Sequence, residues 1–190
     1  MKLLQDKIIA ESSIQSSGKI KINSFMGHQT DPVLINKMAD EWIKRFSDCK
    51  IDKVVTVEVS GISLAFAVAS KLGVPLVIAK KSDNVQISDD EYSTKVISYV
   101  HFRRYDVIVE KQYLGADDHV IIIDDILSNG CSLIGLLGCI DQAGATVEGI
   151  GIAMEKSFER GVGQVNKRGL RLESLVKVKE ITSSGKIVFG

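Results

Sequence analysis

The run VIIIDDILSNGCS, Val120 to Ser132, constrains this chain more than any other segment. Its β-branched residues Val120–Ile123 present no polar face, so they fit a strand covered on both sides, as strands are inside a parallel sheet. Asp124 and Asp125 then fall at the strand's carboxyl end. Ser128, Asn129, Gly130, Cys131 and Ser132 are small or turn-forming, and they lead into a helical stripe of Leu133, Ile134, Leu136, Leu137 and Ile140. A helix that starts from small residues exposes its first N–H groups and its positive dipole end, which attract an anion such as phosphate. Carboxylates directly beneath a phosphate would repel it. A sugar phosphate removes that conflict, because ribose hydroxyls can donate to the acids while the phosphate rests on the turn. The competing reading is that Asp and Gly serve this turn only as caps.

The same strand–turn–helix pattern occurs earlier. Val54 to Val59 reads as a strand, Ser60 and Gly61 as a turn, Ile62 to Leu72 as a helix ended by Gly73, and Val74 to Ala79 as the next strand. In the later unit, Gly144 closes the helix and Val147 to Met154 supplies the following strand. Two such βαβ units predict an α/β fold, a parallel twisted sheet flanked by helices with right-handed crossovers. Ahead of them a helix begins at Asp31 as N-cap and Pro32 at its first position, with Leu34, Ile35, Met38, Ala39, Trp42, Ile43 and Phe46 on one face. Trp42 reads as core. Residues 81–118 are too long for an ordinary connection and too polar at their start for a core, so they read as a lid. Within it, Lys95 to Val100 and Val107 to Tyr113 form an extended hairpin whose tip carries His101, Arg103 and Arg104. Residues 1–30 and 170–190 read as a small hood over the sheet's carboxyl edge.

At 190 residues the chain fits one domain, long enough to bury roughly 70% of its unfolded surface. Its 24 basic residues equal its 24 acidic ones, so no global field argues for nucleic acid. The three cysteines, Cys49, Cys131 and Cys139, have no Cys-x-x-Cys spacing, which argues against a zinc site or disulfide framework and for a reducing compartment. No apolar run is long enough to span a membrane. The expected setting is cytoplasmic.

The run at Val120 resembles the phosphoribosyl-diphosphate signature of the type I phosphoribosyltransferases: apolar strand, two acids, small-residue loop. The stretches KINSFMGHQTDP (Lys21 to Pro32), TVEVSGI (Thr56 to Ile62) and QAGATVEGIGIAMEKSFERG (Gln142 to Gly161) resemble the bacterial xanthine branch of that family. The resemblance implies a magnesium-dependent enzyme that joins xanthine to 5-phospho-α-D-ribose 1-diphosphate in purine salvage, releasing pyrophosphate. It places Asp124 and Asp125 on ribose hydroxyls and Ser128, Asn129, Gly130, Cys131 and Ser132 on the 5-phosphate. Ser60 and Gly61 meet the diphosphate; Lys80 and Lys81, two cations at a strand end, either neutralise its charge or stand as a solvated pair. Ile20, Gly27 and Lys156 hold the purine. Magnesium would be held largely by substrate oxygens, so no all-protein metal site is expected. A homodimer is implied as well.

Departures from the family pattern accompany the resemblance. Gly27 stands where relatives carry Asn or Thr, which removes a hydrogen-bonding side chain from the base site and opens purine choice to hypoxanthine, guanine or adenine. In the lid, Ser98 to Phe102 lacks the usual lysine, and His101, Arg103 or Arg104 are the candidate replacements. Outside enzymes, the same fold serves purine repressors as a sensor of the phosphoribosyl compound. Such repressors carry a DNA-reading domain for which the first thirty residues are too few.

Overall fold

The computed structural model describes residues 1–11, 13–14, 20–21, 29–83, 87–98 and 103–190. Five α-helices and ten strands are found among them: α1 (Lys2–Glu11), β1 (Ser13–Ile14), β2 (Ile20–Lys21), α2 (Pro32–Arg45), β3 (Lys53–Val57), α3 (Ile62–Leu72), β4 (Leu76–Ser82), β5 (Glu91–Ser98), β6 (Arg103–Glu110), β7 (His119–Leu127), α4 (Cys131–Ala143), β8 (Thr146–Lys156), α5 (Gly161–Lys167), β9 (Leu172–Ile181) and β10 (Ile187–Phe189).

Eight strands form one sheet in the order β10-β9-β8-β7-β3-β4-β6-β5. β4, β3, β7, β8 and β9 run parallel, and β10, β6 and β5 add antiparallel edges. From β3 the chain crosses through α3 to β4 on one side, and from β7 it crosses through α4 to β8 on the other. The direction of winding therefore reverses between β3 and β7, and at that reversal the carboxyl ends of adjacent strands leave a crevice.

Each sheet face has its own core. On one, α1, α2 and α3 bury Leu4, Ile8, Met38, Trp42, Phe46 and Leu64 against Val54, Ile121 and Ile123. On the other, α4 buries Leu133, Leu136, Leu137 and Ile140 against Val55, Val57, Ile122 and Ile152. Alternate residues of β3 and β7 thus divide between both cores, which is why Val120–Ile123 has no polar position. The start of α2 is as its sequence implies: the Asp31 carboxylate accepts from the N–H groups of Val33 and Leu34 at 3.0 and 3.1 Å, ahead of Pro32. Trp42 is fully buried and donates to the Glu173 carbonyl at 3.2 Å. Its ring presses so close to β8 that a Cβ at Gly151 would lie 2.9 Å from it.

Three expectations change in detail. β7 continues through both aspartates to Leu127, because Asp124 and Ile126 keep pairing with Ile152 and Met154 of β8. The hairpin expected within the lid is present as β5 and β6, but it belongs to the main sheet: β6 pairs with β4, β5 pairs with β6, and Val96, Val107 and Val109 are buried beneath α4. Alternation along these strands supplies the apolar face that the polar start of the segment concealed. The segment after Leu170, expected in the hood, joins the main sheet as β9 and β10, with Leu175, Val176 and Val178 buried. On the N-terminal side, β1 and β2 form a separate two-stranded antiparallel sheet.

Candidate active site

At the crevice a cavity of about 160 Å³ is lined by Glu58 and Ser60 after β3, Lys81 of β4, Asp124 to Leu127 of β7, Ser128, Gly130 and Ser132 at the start of α4, and Ile152 of β8. The Asp125 N–H donates to Asp124 Oδ1 at 2.9 Å, and the Ile126 N–H donates to Asp125 Oδ1 at 2.8 Å. Each carboxylate is steered by the next amide, leaving its second oxygen for another donor. Burial, then the neighbouring charge of Asp125, holds the Asp124 carboxyl well above the ordinary carboxylate range, while Lys81 acts in the opposite direction. A cationic partner or hydroxyl donors entering the cavity would favour the ionised form.

Immediately beyond, Gly130 takes a left-handed conformation (φ 78°) and α4 begins with no side-chain cap. Its first N–H groups remain available beside Ser128 and Ser132, the arrangement an anion requires. The Ser132 hydroxyl lies 3.0 Å from the Tyr105 hydroxyl, and Lys81 Nζ stands 5.9 Å from the Tyr105 ring centroid. Tyr105 therefore joins the edge hairpin to the anion site. On the opposite wall, Gly61 is required by space: a Cβ there would lie 2.3 Å from Thr56 Oγ1 and 2.7 Å from Asp124 Oδ1.

Not every candidate enters the cavity. Lys81 lines it, whereas Lys80 faces the other side of β4 and pairs with Glu58 Oε2 at 3.3 Å. Asn129 and Cys131 stay outside the lining, and the Asn129 carbonyl accepts from Gln164 Nε2. Lys156, at the carboxyl end of β8, lies 3.2 Å from Glu159 Oε1. Ile20 is in β2 by its backbone, but its side chain lies outside the described residues, as do Gly27 and His101. Arg104 is exposed and, by alternation along β6, opposes the face that carries Tyr105. No group of three or more His, Cys, Asp or Glu gathers to hold a metal among the described residues.

Several carboxylates escaped sequence reasoning. Glu58 Oε1 accepts from the Lys81 N–H at 2.7 Å, fixing the end of β4 against the β3 turn. Glu155 is 3% exposed and accepts from the hydroxyls of Ser157 and Ser174, each at 2.6 Å. Glu159 accepts from the Ser128 hydroxyl at 2.5 Å. Each lies inside one of the quoted motifs, but solitary glutamates have no spacing that predicts these partners.

Residues 32–181 match the model of the phosphoribosyl transferase domain family. The chain is 42% identical over 190 residues to xanthine phosphoribosyltransferase of Lachnoclostridium phytofermentans, covering 100% of this chain and 98% of that protein. It is 40% identical to the xanthine phosphoribosyltransferase of Finegoldia magna, covering 98% of each. Among solved structures, adenine phosphoribosyltransferase of Thermoanaerobacter pseudethanolicus superposes with a TM-score of 0.77 at 18% identity, covering 93% of this chain and 98% of that one. The Giardia lamblia adenine enzyme complexed with 9-deazaadenine gives 0.77 at 22% identity, with the same coverage of each chain. A diacid strand end beside an uncapped helix start, at the reversal of a parallel sheet, together with these matches along the whole length, makes the chain a member of the phosphoribosyl transferase domain family.

Proposed function

We propose that the chain is a xanthine phosphoribosyltransferase of purine salvage, transferring the 5-phosphoribosyl group from 5-phospho-α-D-ribose 1-diphosphate to xanthine. The products are xanthosine 5′-monophosphate and pyrophosphate. The observation that carries this reading is the placement of Asp124 and Asp125 against the uncapped start of α4, supported by relatives that bear the xanthine name.

In this reading, the Asp124 and Asp125 carboxylates accept from the ribose 2- and 3-hydroxyls, and their charge stabilises the sugar as it becomes oxocarbenium-like. Amides at the start of α4, with Ser128 to Ser132, hold the 5-phosphate. Ser60, Gly61 and Lys81 receive the departing diphosphate, and Lys80 contributes positive potential from the outer side of β4. As the C1–oxygen bond to diphosphate breaks, a purine nitrogen bonds to C1 and its proton is released. Lys156, with Ile20 and Gly27, holds the base. Magnesium would be held mainly by substrate oxygens rather than by an all-protein cage, and would neutralise diphosphate charge when bound.

The enzyme acts as a homodimer in the cytoplasm. Val59 and Phe66, 75% and 63% exposed beside the diphosphate turn and on α3, suit a second copy there. No described helix is long and apolar enough to cross a membrane.

Gly27 favours a second reading of the base, because a site with one fewer polar side chain discriminates less against hypoxanthine or guanine. Incubation with phosphoribosyl diphosphate, magnesium and each purine in turn, following pyrophosphate release, tests both. Fastest turnover with xanthine is expected. Faster turnover with another purine would transfer the assignment to that base, and no release with any would favour a sensor.

A further inference from the structure

The turn after β8 and the helix α5 that follows it are bound to the anion loop in three places. The Gly161 N–H donates to the Ser128 carbonyl at 2.9 Å, Gln164 Nε2 donates to the Asn129 carbonyl at 2.9 Å, and the Ser128 hydroxyl donates to Glu159 Oε2 at 2.5 Å. The contact is close enough that a Cβ on Gly161 would lie 2.4 Å from the Ser128 carbonyl oxygen. Glu159 has a second attachment. Its Oε1 lies 3.2 Å from Lys156 Nζ, and the two side chains are 21% and 25% exposed. One carboxylate therefore holds a hydroxyl of the phosphate loop with one oxygen and the lysine at the end of β8 with the other.

Both bonds involve an ionised acceptor in a partly dry setting, where they are stronger than neutral bonds between exposed groups. A free lysine side chain samples many rotamers, and pairing with a fixed carboxylate removes most of that freedom before a ligand arrives. The two groups joined here belong to opposite ends of the nucleotide that the site is read to make: phosphate at Ser128, base at Lys156.

We propose that Glu159 is a positioning residue that sets the spacing between the phosphate loop and the base-holding lysine while touching neither substrate. The inference rests on the assignment of Lys156 to the base made above.

The test is steady-state kinetics in both substrates, with melting temperature recorded for every variant. Glu159→Gln keeps an acceptor for Ser128 but removes the ion pair, so it is expected to raise the purine KM about fivefold or more while leaving the phosphoribosyl diphosphate KM within about twofold. Ser128→Ala cuts the other attachment and is expected to raise the phosphoribosyl diphosphate KM with little change for the purine. Glu159→Ala is expected to raise both. A role confined to folding would shift both KM values equally in all variants, or neither, in step with melting temperature, and that result overturns the inference. Lys156→Ala separates the inference from the assignment beneath it. If Lys156→Ala raises the purine KM and Glu159→Gln does not, only the role of Glu159 fails. If Lys156→Ala leaves the purine KM unchanged, the base assignment fails and the inference with it.

Discussion

Asp124 occupies a position where ionisation is costly. Burial and the Asp125 charge raise its folded-state pKa above the unfolded value, Lys81 offsetting part of this. The folded protein therefore binds the Asp124 proton more tightly than the unfolded chain. Stability from that proton is fully present below the ordinary aspartate value, about 3.9, and is lost as pH rises through the raised folded value. Asp124→Asn removes this dependence. It is expected to melt higher than the parent at pH 7, by roughly 2–4 °C for each kcal/mol recovered, with the two curves converging as pH falls towards 4. Turnover is expected to drop on the order of 10²–10³-fold, as when a charge-stabilising group is lost. Equal melting of both proteins at pH 7 would show that the carboxylate carries no such cost. At this scale the sequence was readable where chemistry came as a run: Asp124 and Asp125 stand together at a strand end, and Ser128 to Ser132 follow directly. Lys80 and Lys81 were not separable until β4 was known to extend through both, because alternation sends them to opposite faces. Glu58, Glu155 and Glu159 became meaningful only when the fold set them against residues from other elements.

Among the elements, α4 and the edge hairpin meet through glycines. A Cβ at Gly135 would lie 2.5 Å from Val96 Cγ2 and 2.7 Å from Val107 Cγ2, and one at Gly138 would lie 2.5 Å from Thr94 Oγ1. The helix lies close to β5 and β6 because these positions lack side chains. Gly135→Ala sets two effects against each other: alanine gains about 1 kcal/mol in helix propensity, while overpacking a closed interface costs about 1–3 kcal/mol. Val107 is fully buried and Val96 is 6% exposed, leaving the branched side chains little room to yield. The overpacking term should win, lowering the urea midpoint by the equivalent of about 1 kcal/mol. A midpoint equal to or above the parent's would mean that the hairpin is free to move away from α4. This docking also explains why residues 81–118 read as a lid. Polar residues 82–90 gave the segment a solvated character, and Tyr92, Thr94 and Val96 alternate with polar partners in a way that identifies an edge strand only once its neighbour is known. The α3 helix and its Gly73 stop were legible because both signals are local: the helix runs Ile62–Leu72 and Gly73 has φ 70°.

Over the whole molecule, equal numbers of acidic and basic residues leave no long-range field to gather anions. Attraction for a sugar phosphate must arise locally, from Lys81, the start of α4 and the turn at Gly61, all brought together by the reversal of winding between β3 and β7. Two βαβ units in the sequence predicted a parallel sheet, but strand order, which creates the reversal, depends on pairings between distant segments. The same local origin makes ligand binding a test of the site as a unit. Ribose 5-phosphate offers the diol and the phosphate without a leaving group, so it should bind the folded chain without reacting. At a hundredfold its dissociation constant it adds about 2.7 kcal/mol to stability by mass action, a rise of roughly 5–11 °C in melting temperature for a chain of this size. Ribose, which lacks the anion, should give little protection, and inorganic phosphate, which lacks the diol, should give less than ribose 5-phosphate at equal concentration. In the Asp124→Asn, Asp125→Asn double variant the advantage of ribose 5-phosphate over inorganic phosphate should shrink towards zero, because the helix start remains while the acceptors for the hydroxyls are gone. If the advantage survives in that variant, the diol is not held by these aspartates, and the division of the site into a carboxylate half and an amide half is wrong.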